Sequence, residues 1–359
     1  MAGPSRETLR GYVLEELLAA LIKTTGYRLL VDEGQDPAEL ENRHNGLAVR
    51  GRGGVHQVDV LGELAWIPAF TFPLRLIVEA KARTDSKVGI GEVRNAVGVV
   101  SDVNQNFTSG AATRVLLQRF AYRFALFSTT GFSAPAAQYA LAHQISLVDL
   151  SGPDFDDVRE LADDVSSAFW TDDPPDGRGG FVRRLRVGMR RALDTRPSEV
   201  DPAEYEDPAE LEPLWQQVRA FSLQRVEDIG ELFVGMANGP YLLLLRARDP
   251  RRVVELLNAQ PVRDVEIYWS SHEADGIRWT IELVPGDESL SLSFALPKPV
   301  AEWIFDPEAD ARRRAIQFKT QFLSSITIYR YVGGRDRLYR LRFSPRQLEA
   351  FWRERRADG

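Results

Sequence analysis

The chain contains no cysteine, which excludes disulfides and thiolate metal sites. Histidine is scarce: His44, His56, His143 and His272 are the whole set, and no two of them have ligand spacing. Zinc is therefore not expected, and any metal would be a hard cation held by oxygen. No apolar run approaches the length of a membrane span, and Met1-Ala2-Gly3-Pro4-Ser5-Arg6 carries no apolar signal core. The expectation is a cytoplasmic protein with no membrane partner. Excess positive charge is missing too: 45 Lys and Arg stand against 52 Asp and Glu, a formal net charge of −7. Coating nucleic acid through bulk charge is excluded, so any such contact would come from local basic patches. There is no internal repeat and no phosphate loop of the G-x-x-x-x-G-K type.

What is present reads as an α/β protein. Its 359 residues are long for one core, and two domains are the natural expectation. Leu9, Val13, Leu17 and Leu21, with Leu14, Leu18 and Ile22, recur at helical spacing. They predict an amphipathic helix over residues 7–24, stopped by Gly26. Strands are predicted over 27–31, 56–62, 74–81, 122–128 and 145–150, and helices over 91–106 and 134–143. Residues 32–47 read as a polar loop, 50–54 as a basic glycine-rich turn, and 65–73 as an apolar connection. This order predicts helices packed around a mixed sheet.

One strand carries chemistry at its end. Leu74-Arg75-Leu76-Ile77-Val78 closes on Glu79-Ala80-Lys81, and an earlier run closes on Gln57-Val58-Asp59. A strand alternates its faces with a period of two, so Glu79 and Lys81 share a side, as do Gln57 and Asp59. If the two strands are neighbours, two carboxylates and an ammonium converge beside an amide. Carboxylate oxygens suit Mg²⁺, and a metal beside a lysine suits phosphodiester hydrolysis. Charges bordering so apolar a strand are costly unless paired or metal-bound. The first helix adds Glu15 and Glu16, one of which can aim at the same point. The helical pattern does not decide which.

With Gly11-Tyr12-Val13-Leu14-Glu15, Gly26-Tyr27, Gln57-Val58-Asp59 and Glu79-Ala80-Lys81 in place, the chain resembles a known family. Phe127-Ser128-Thr129-Thr130-Gly131-Phe132-Ser133, Ala136, Tyr139-Ala140 and Ile145-Ser146-Leu147-Val148-Asp149 carry the likeness further. It is similar to the PD-(D/E)xK nuclease superfamily over residues 7–155, in the restriction-endonuclease-like branch that holds the Mrr-type enzymes, which restrict modified DNA. The resemblance implies a restriction-endonuclease-like mixed sheet flanked by helices, DNA as partner, and Mg²⁺ as cofactor with Mn²⁺ as a substitute. It implies that Asp59 and Glu79 ligate metal and that Lys81 positions the attacking water. It makes Glu15 the helix acid at the metal and Glu16 its salt-bridging neighbour. The chain departs from many relatives at His56-Gln57, where Mrr-type proteins often have glycine. Gln57 is a candidate to hold the scissile phosphate or the water, with a strand-end hydrogen bond as the alternative. His56 points the other way and reads as packed or hydrogen-bonded. Arg94 is a candidate phosphate contact, with an ordinary salt bridge as the alternative.

Residues 156–215 read as an acidic linker region, since from Ser151 to Trp215 acids outnumber bases by roughly two to one. It encloses one basic helix, 181–193, with Arg183, Arg184, Arg186, Arg190 and Arg191. That helix is either a solvated charged face or a phosphate-contacting element between domains. Residues 216–359 are expected to form an α+β domain for recognition or regulation. Strands are predicted over 241–247, 265–270, 277–284, 290–296 and 338–343. Helices are predicted over 249–257 and 309–325, with a last one opened by Ser344-Pro345-Arg346-Gln347. Trp269, Trp279 and Trp303 read as core. Tyr329-Arg330-Tyr331 and 335–342 mix bases with aromatics, a weak nucleic-acid signal, and Arg312-Arg313-Arg314 reads as a solvated turn.

The leading expectation is a metal-dependent endonuclease acting on DNA in restriction or anti-phage defence, as a homodimer or with partner defence proteins. One alternative is an inactive nuclease-fold module that binds DNA or a partner. Another is a defence effector kept silent until the C-terminal half receives a phage or nucleotide signal.

Overall fold

The computed structural model describes residues 5–43, 46–65, 71–106, 118–170, 177–195, 232–238, 242–272, 276–305, 311–332 and 335–343. The expected helix after Ser344, residues 66–70 of the 65–73 connection, and residues 171–176 and 196–215 of the expected linker lie outside them. The described residues form a mixed α/β protein with eight α-helices and three sheets. No helix among them is long and apolar enough to cross a membrane.

The main sheet has the order β1 (Tyr27–Leu30), β5 (Val60–Leu64), β6 (Leu74–Lys81), β7 (Ala121–Ser128) and β8 (Ser146–Asp149). Its first two pairings are antiparallel and its last two parallel. The parallel half is covered on both faces, as parallel strands require. On one side lie α2 (Ile90–Asn104) and α3 (Ala134–His143), against Ile77, Phe124 and Leu126. On the other lies α1 (Arg6–Thr24), against Leu76, Val78, Ala125 and Phe127.

α1 is buried nearly all round: Leu9, Val13, Leu14, Glu16, Leu17, Leu18, Leu21 and Ile22 are all inside. A helix apolar on every side must be covered on every side. Two of its covers come from the stretch expected as a linker. α4 (Asp156–Phe169) contributes Val158, Leu161 and Val165, and α5 (Gly177–Ala192) contributes Leu185 and Met189. This corrects the linker reading for the described part of that stretch. The charge count there conceals an apolar stripe at helical spacing, and each buried leucine contributes about 2 kcal/mol.

The third cover is the C-terminal sheet. Its order is β11 (Val262–Asp264), β16 (Arg335–Arg342), β15 (Ser325–Val332), β9 (Leu232–Met236), β10 (Leu242–Ala247), β14 (Ser291–Phe294), β13 (Gly276–Glu282) and β12 (Glu266–His272). Leu232, Val234, Leu242, Leu244 and Tyr329 face the α1 layer. Phe233, Leu243, Leu245, Trp279 and Ile281 face away, under α6 (Pro250–Ala259), α7 (Lys298–Ile304) and α8 (Ala311–Phe322). Of the three tryptophans expected in the core, only Trp279 is fully buried; Trp269 is 39% and Trp303 51% exposed. Trp269 sits on the edge strand β12 against Phe305, and Trp303 stacks near Arg314.

A small antiparallel sheet, β2 (Leu40–Arg43), β3 (Gly46–Arg50) and β4 (Val55–Gln57), occupies part of the expected polar loop. Leu40, Leu47 and Val49 give it an apolar face on the α2 side. It is joined to the main sheet by a bend that positions the candidate site.

Candidate active site

The expected strand 56–62 is two strands. Gln57 ends β4 opposite Ala48, while Val60 begins β5 opposite Val78. Between them the Val58 amide still donates to the Leu47 carbonyl of β3, at 3.0 Å. In the β5–β6 register, Ala80 would next face position 58, but Val58 has turned away. The Ala80 N–H is taken instead by Asp59, whose Oδ2 accepts it at 2.9 Å. Buried amides need a partner, and here the side chain supplies what the strand withdraws. Asp59 is thereby hooked onto the backbone between Glu79 and Lys81.

Glu79 and Lys81 share a side of β6, as alternation predicts, and form an ion pair with each other. Their side chains are 21% and 26% exposed, so the pair is reachable from solvent. Asp59 feels both. Burial raises its proton affinity most; the Ala80 N–H opposes this, the Glu79 charge adds to it, and Lys81 and Arg186 pull back.

Glu15 reaches the cluster from α1. Burial pushes its carboxyl up to about 8, with the charge of Asp59 the next cause and Arg186 pulling the other way. Arg186 of α5 bridges the two neighbouring acids, Nη2 to Glu15 at 2.9 Å and Nε to Glu16 at 2.9 Å. Its guanidinium lies 5.1 Å from the centre of the Tyr12 ring. Arg190 Nε stands 3.0 Å from both Glu16 oxygens. Glu16 is 2% exposed, so these arginines are what make its charge tolerable. Helix α5 is thus neither a solvated face nor a free phosphate-binding surface at Arg186 and Arg190. The structure spends both guanidinium groups on α1. Two acids inside an otherwise apolar helix were the signal for such partners.

Asp59 of the bend before β5 thus lies against Glu79 and Lys81 of β6, and Glu15 of α1 feels its charge. Two other expected members are exposed. Gln57 ends β4, in the small sheet, opposite Ala48, and the bend at Val58 and Asp59 separates it from β5. Arg94 is exposed on α2, with its guanidinium 5.6 Å from the Tyr139 ring centre. His56 is hydrogen-bonded, as expected: Nε2 lies 2.7 Å from Asp102 Oδ2, and Asp102 also accepts the Gly53 and Gly54 amides. This ties the basic turn to α2.

The donors Asp59 and Glu79 are carboxylate oxygens, which suit a hard cation. Mg²⁺ typically takes one or two protein carboxylates and completes its shell with water and phosphate. A site with three acidic ligands is not formed: among the described residues, no three acidic or imidazole side chains are grouped to hold a metal. Glu15 is engaged by Arg186 and Glu79 by Lys81. Comparison with known protein families, curated proteins and solved structures finds no match to this chain.

Proposed function

We propose that the chain is a metal-dependent nuclease that hydrolyses DNA phosphodiester bonds, built on a restriction-endonuclease-like N-terminal fold. One observation carries the reading: Asp59 is held by its own carboxylate against the Ala80 amide, between Glu79 and Lys81 on the neighbouring strand. Two carboxylates and an ammonium are thereby brought together at one end of the central strand by backbone geometry. Such fixed placement is what a hydrolytic site needs.

Asp59 and Glu79 would hold the cation, Mg²⁺ or Mn²⁺. Bound there, it supplies charge neutralisation for the phosphate and a more acidic water. Lys81, paired with Glu79 beside the Asp59 carboxylate, would orient the attacking water through its ammonium. Glu15 stands beside Asp59, with burial and that neighbour's charge pushing its carboxyl up to about 8. The restriction or anti-phage role, the partner defence proteins and the homodimer belong to this proposal. The second reading is a DNA- or partner-binding module without turnover. It draws on the absence of a three-acid group among the described residues.

Incubation with modified and unmodified supercoiled plasmid separates the two. The nuclease reading expects nicking or linearisation with Mg²⁺ or Mn²⁺, none with EDTA, and none from Glu79→Ala. Lys81→Ala should keep DNA binding and lose cleavage by about two to four orders of magnitude. Equal cleavage by Lys81→Ala and wild type would remove Lys81 from the mechanism. Binding with no cleavage on any substrate would favour the second reading.

A further inference from the structure

We infer that Arg186 is a positioning residue that competes with a cation for the Glu15 carboxyl, so that helix α5 is a built-in occupant of the acid cluster. The inference rests on the nuclease reading of that cluster and names how the site is kept closed.

The bonding pattern separates two tasks that the arginines perform. Glu16 is the buried acid that must be neutralised, and Arg190 already contacts both of its oxygens. Arg186 adds one contact to Glu16 and sends its Nη2 on to Glu15. That second contact is not required to keep Glu16 inside. Its effect is on Glu15, the one candidate ligand that comes from a helix rather than from the sheet. A guanidinium fork and a hard cation compete for the same carboxylate oxygens, and the fork has the better geometry for carboxylate. While Arg186 stays, Glu15 is engaged by α5 beside Asp59, and Asp59 and Glu79 are left as the acids available to a cation.

The lever is anchored. Leu185 and Met189 flank Arg186 in sequence and pack into the α1 layer. α4, which precedes α5, carries Asp157, paired with Arg246 of β10, and Asp154 just before α4 pairs with Arg278 of β13. The layer from which Arg186 reaches is therefore tied to the C-terminal sheet. An input to that sheet has a short physical route to Glu15.

The test is metal affinity, which needs no turnover. Mn²⁺ binding to the full-length chain is measured by titration calorimetry for wild type, Arg186→Met, Asp59→Asn, and Arg186→Met with Glu15→Gln. Arg186→Met should bind Mn²⁺ tighter than wild type by about tenfold or more, and adding Glu15→Gln should erase the gain. A merely structural role for Arg186 would loosen binding, not tighten it. If Arg186→Met does not fold by circular dichroism, Arg186→Gln, which keeps a hydrogen bond to Glu16, is judged by the same criterion. Unchanged or weaker affinity in the folded variant, with wild-type binding that disappears in Asp59→Asn, overturns the role of Arg186 and leaves the site reading standing. No binding by wild type or by either Arg186 variant overturns both.

Discussion

Glu15 and Glu16 are adjacent in sequence and meet different surroundings. Glu16 is sealed in the α1 layer and answered by two arginines, whereas Glu15 faces one arginine and another acid, Asp59. Asp59 and Glu79 lie beside Lys81, while Arg186 and Arg190 answer Glu16. A second buried charge, far from this cluster, allows a direct electrostatic test. Lys319 on α8 is 5% exposed, donates to the Ile267 carbonyl at 2.6 Å, and lies near the Trp279 and Phe343 rings. Burial pulls its ammonium down to about 8. Between that value and the ordinary 10.5, the unfolded chain binds more protons than the native one. Stability therefore rises with pH across this window, and below it the native state carries a cost of about 3 kcal/mol. Lys319→Met removes the cost but leaves the Ile267 carbonyl short of a donor, worth about 1–2 kcal/mol. A net stabilisation of about 1–2 kcal/mol is expected at neutral pH, fading as the pH approaches 10.5. Urea unfolding at the two pH values checks this. A gain that does not change with pH would show that the ammonium costs nothing where it is.

At the scale of elements, much of the site was legible and the reasons are local. The α1 periodicity, the apolar strand β6 and the Gly26 stop are properties of short sequence windows, and each appears where expected. The bend at Val58 and Asp59 was not legible. It depends on which of two sheets each residue pairs with, and that is decided across β3 and β6, not within the run itself. The single strand expected over 56–62 divides for that reason. α4 was hidden by its charge, because a composition count cannot see that Val158, Leu161 and Val165 line one face; α5 was expected as a basic helix, but its packing through Leu185 and Met189 was not. Trp269 and Trp303 were misread because their positions on an edge strand and a short helix follow from the order of the sheet. Gly26 connects the two halves of the molecule more closely than a helix stop requires. Its φ of +79° is left-handed, and a Cβ there would stand 3.0 Å from the Tyr329 Cβ on β15. Gly26→Val should cost about 2–4 kcal/mol, from backbone strain and from pushing the C-terminal sheet off α1. Gly26→Asn, which tolerates this φ, should lose about half as much. Thermal melts compare them. Equal melting of the valine variant and wild type would mean that the approach of β15 to α1 is loose.

For the molecule as a whole, α1 is the shared part. One side of it packs on the main sheet and another on the C-terminal sheet, with α4 and α5 closing the remainder. The acid cluster therefore sits at the margin of a layer that both sheets contact. This arrangement accounts for a nearly balanced chain with a net charge of −7 carrying a charged site: the charges are concentrated and locally matched, not spread over a basic surface. It also gives the third functional expectation, an effector silent until its C-terminal half is engaged, a physical path through α4 and α5. The most direct test of the central claim is a crystal of the wild-type chain soaked in Mn²⁺, with anomalous scattering recorded at the manganese edge. The account predicts a peak between the carboxylates of Asp59 and Glu79 that disappears in Asp59→Asn. A crystal with those two side chains ordered and no peak there, or with a peak only elsewhere, would contradict it.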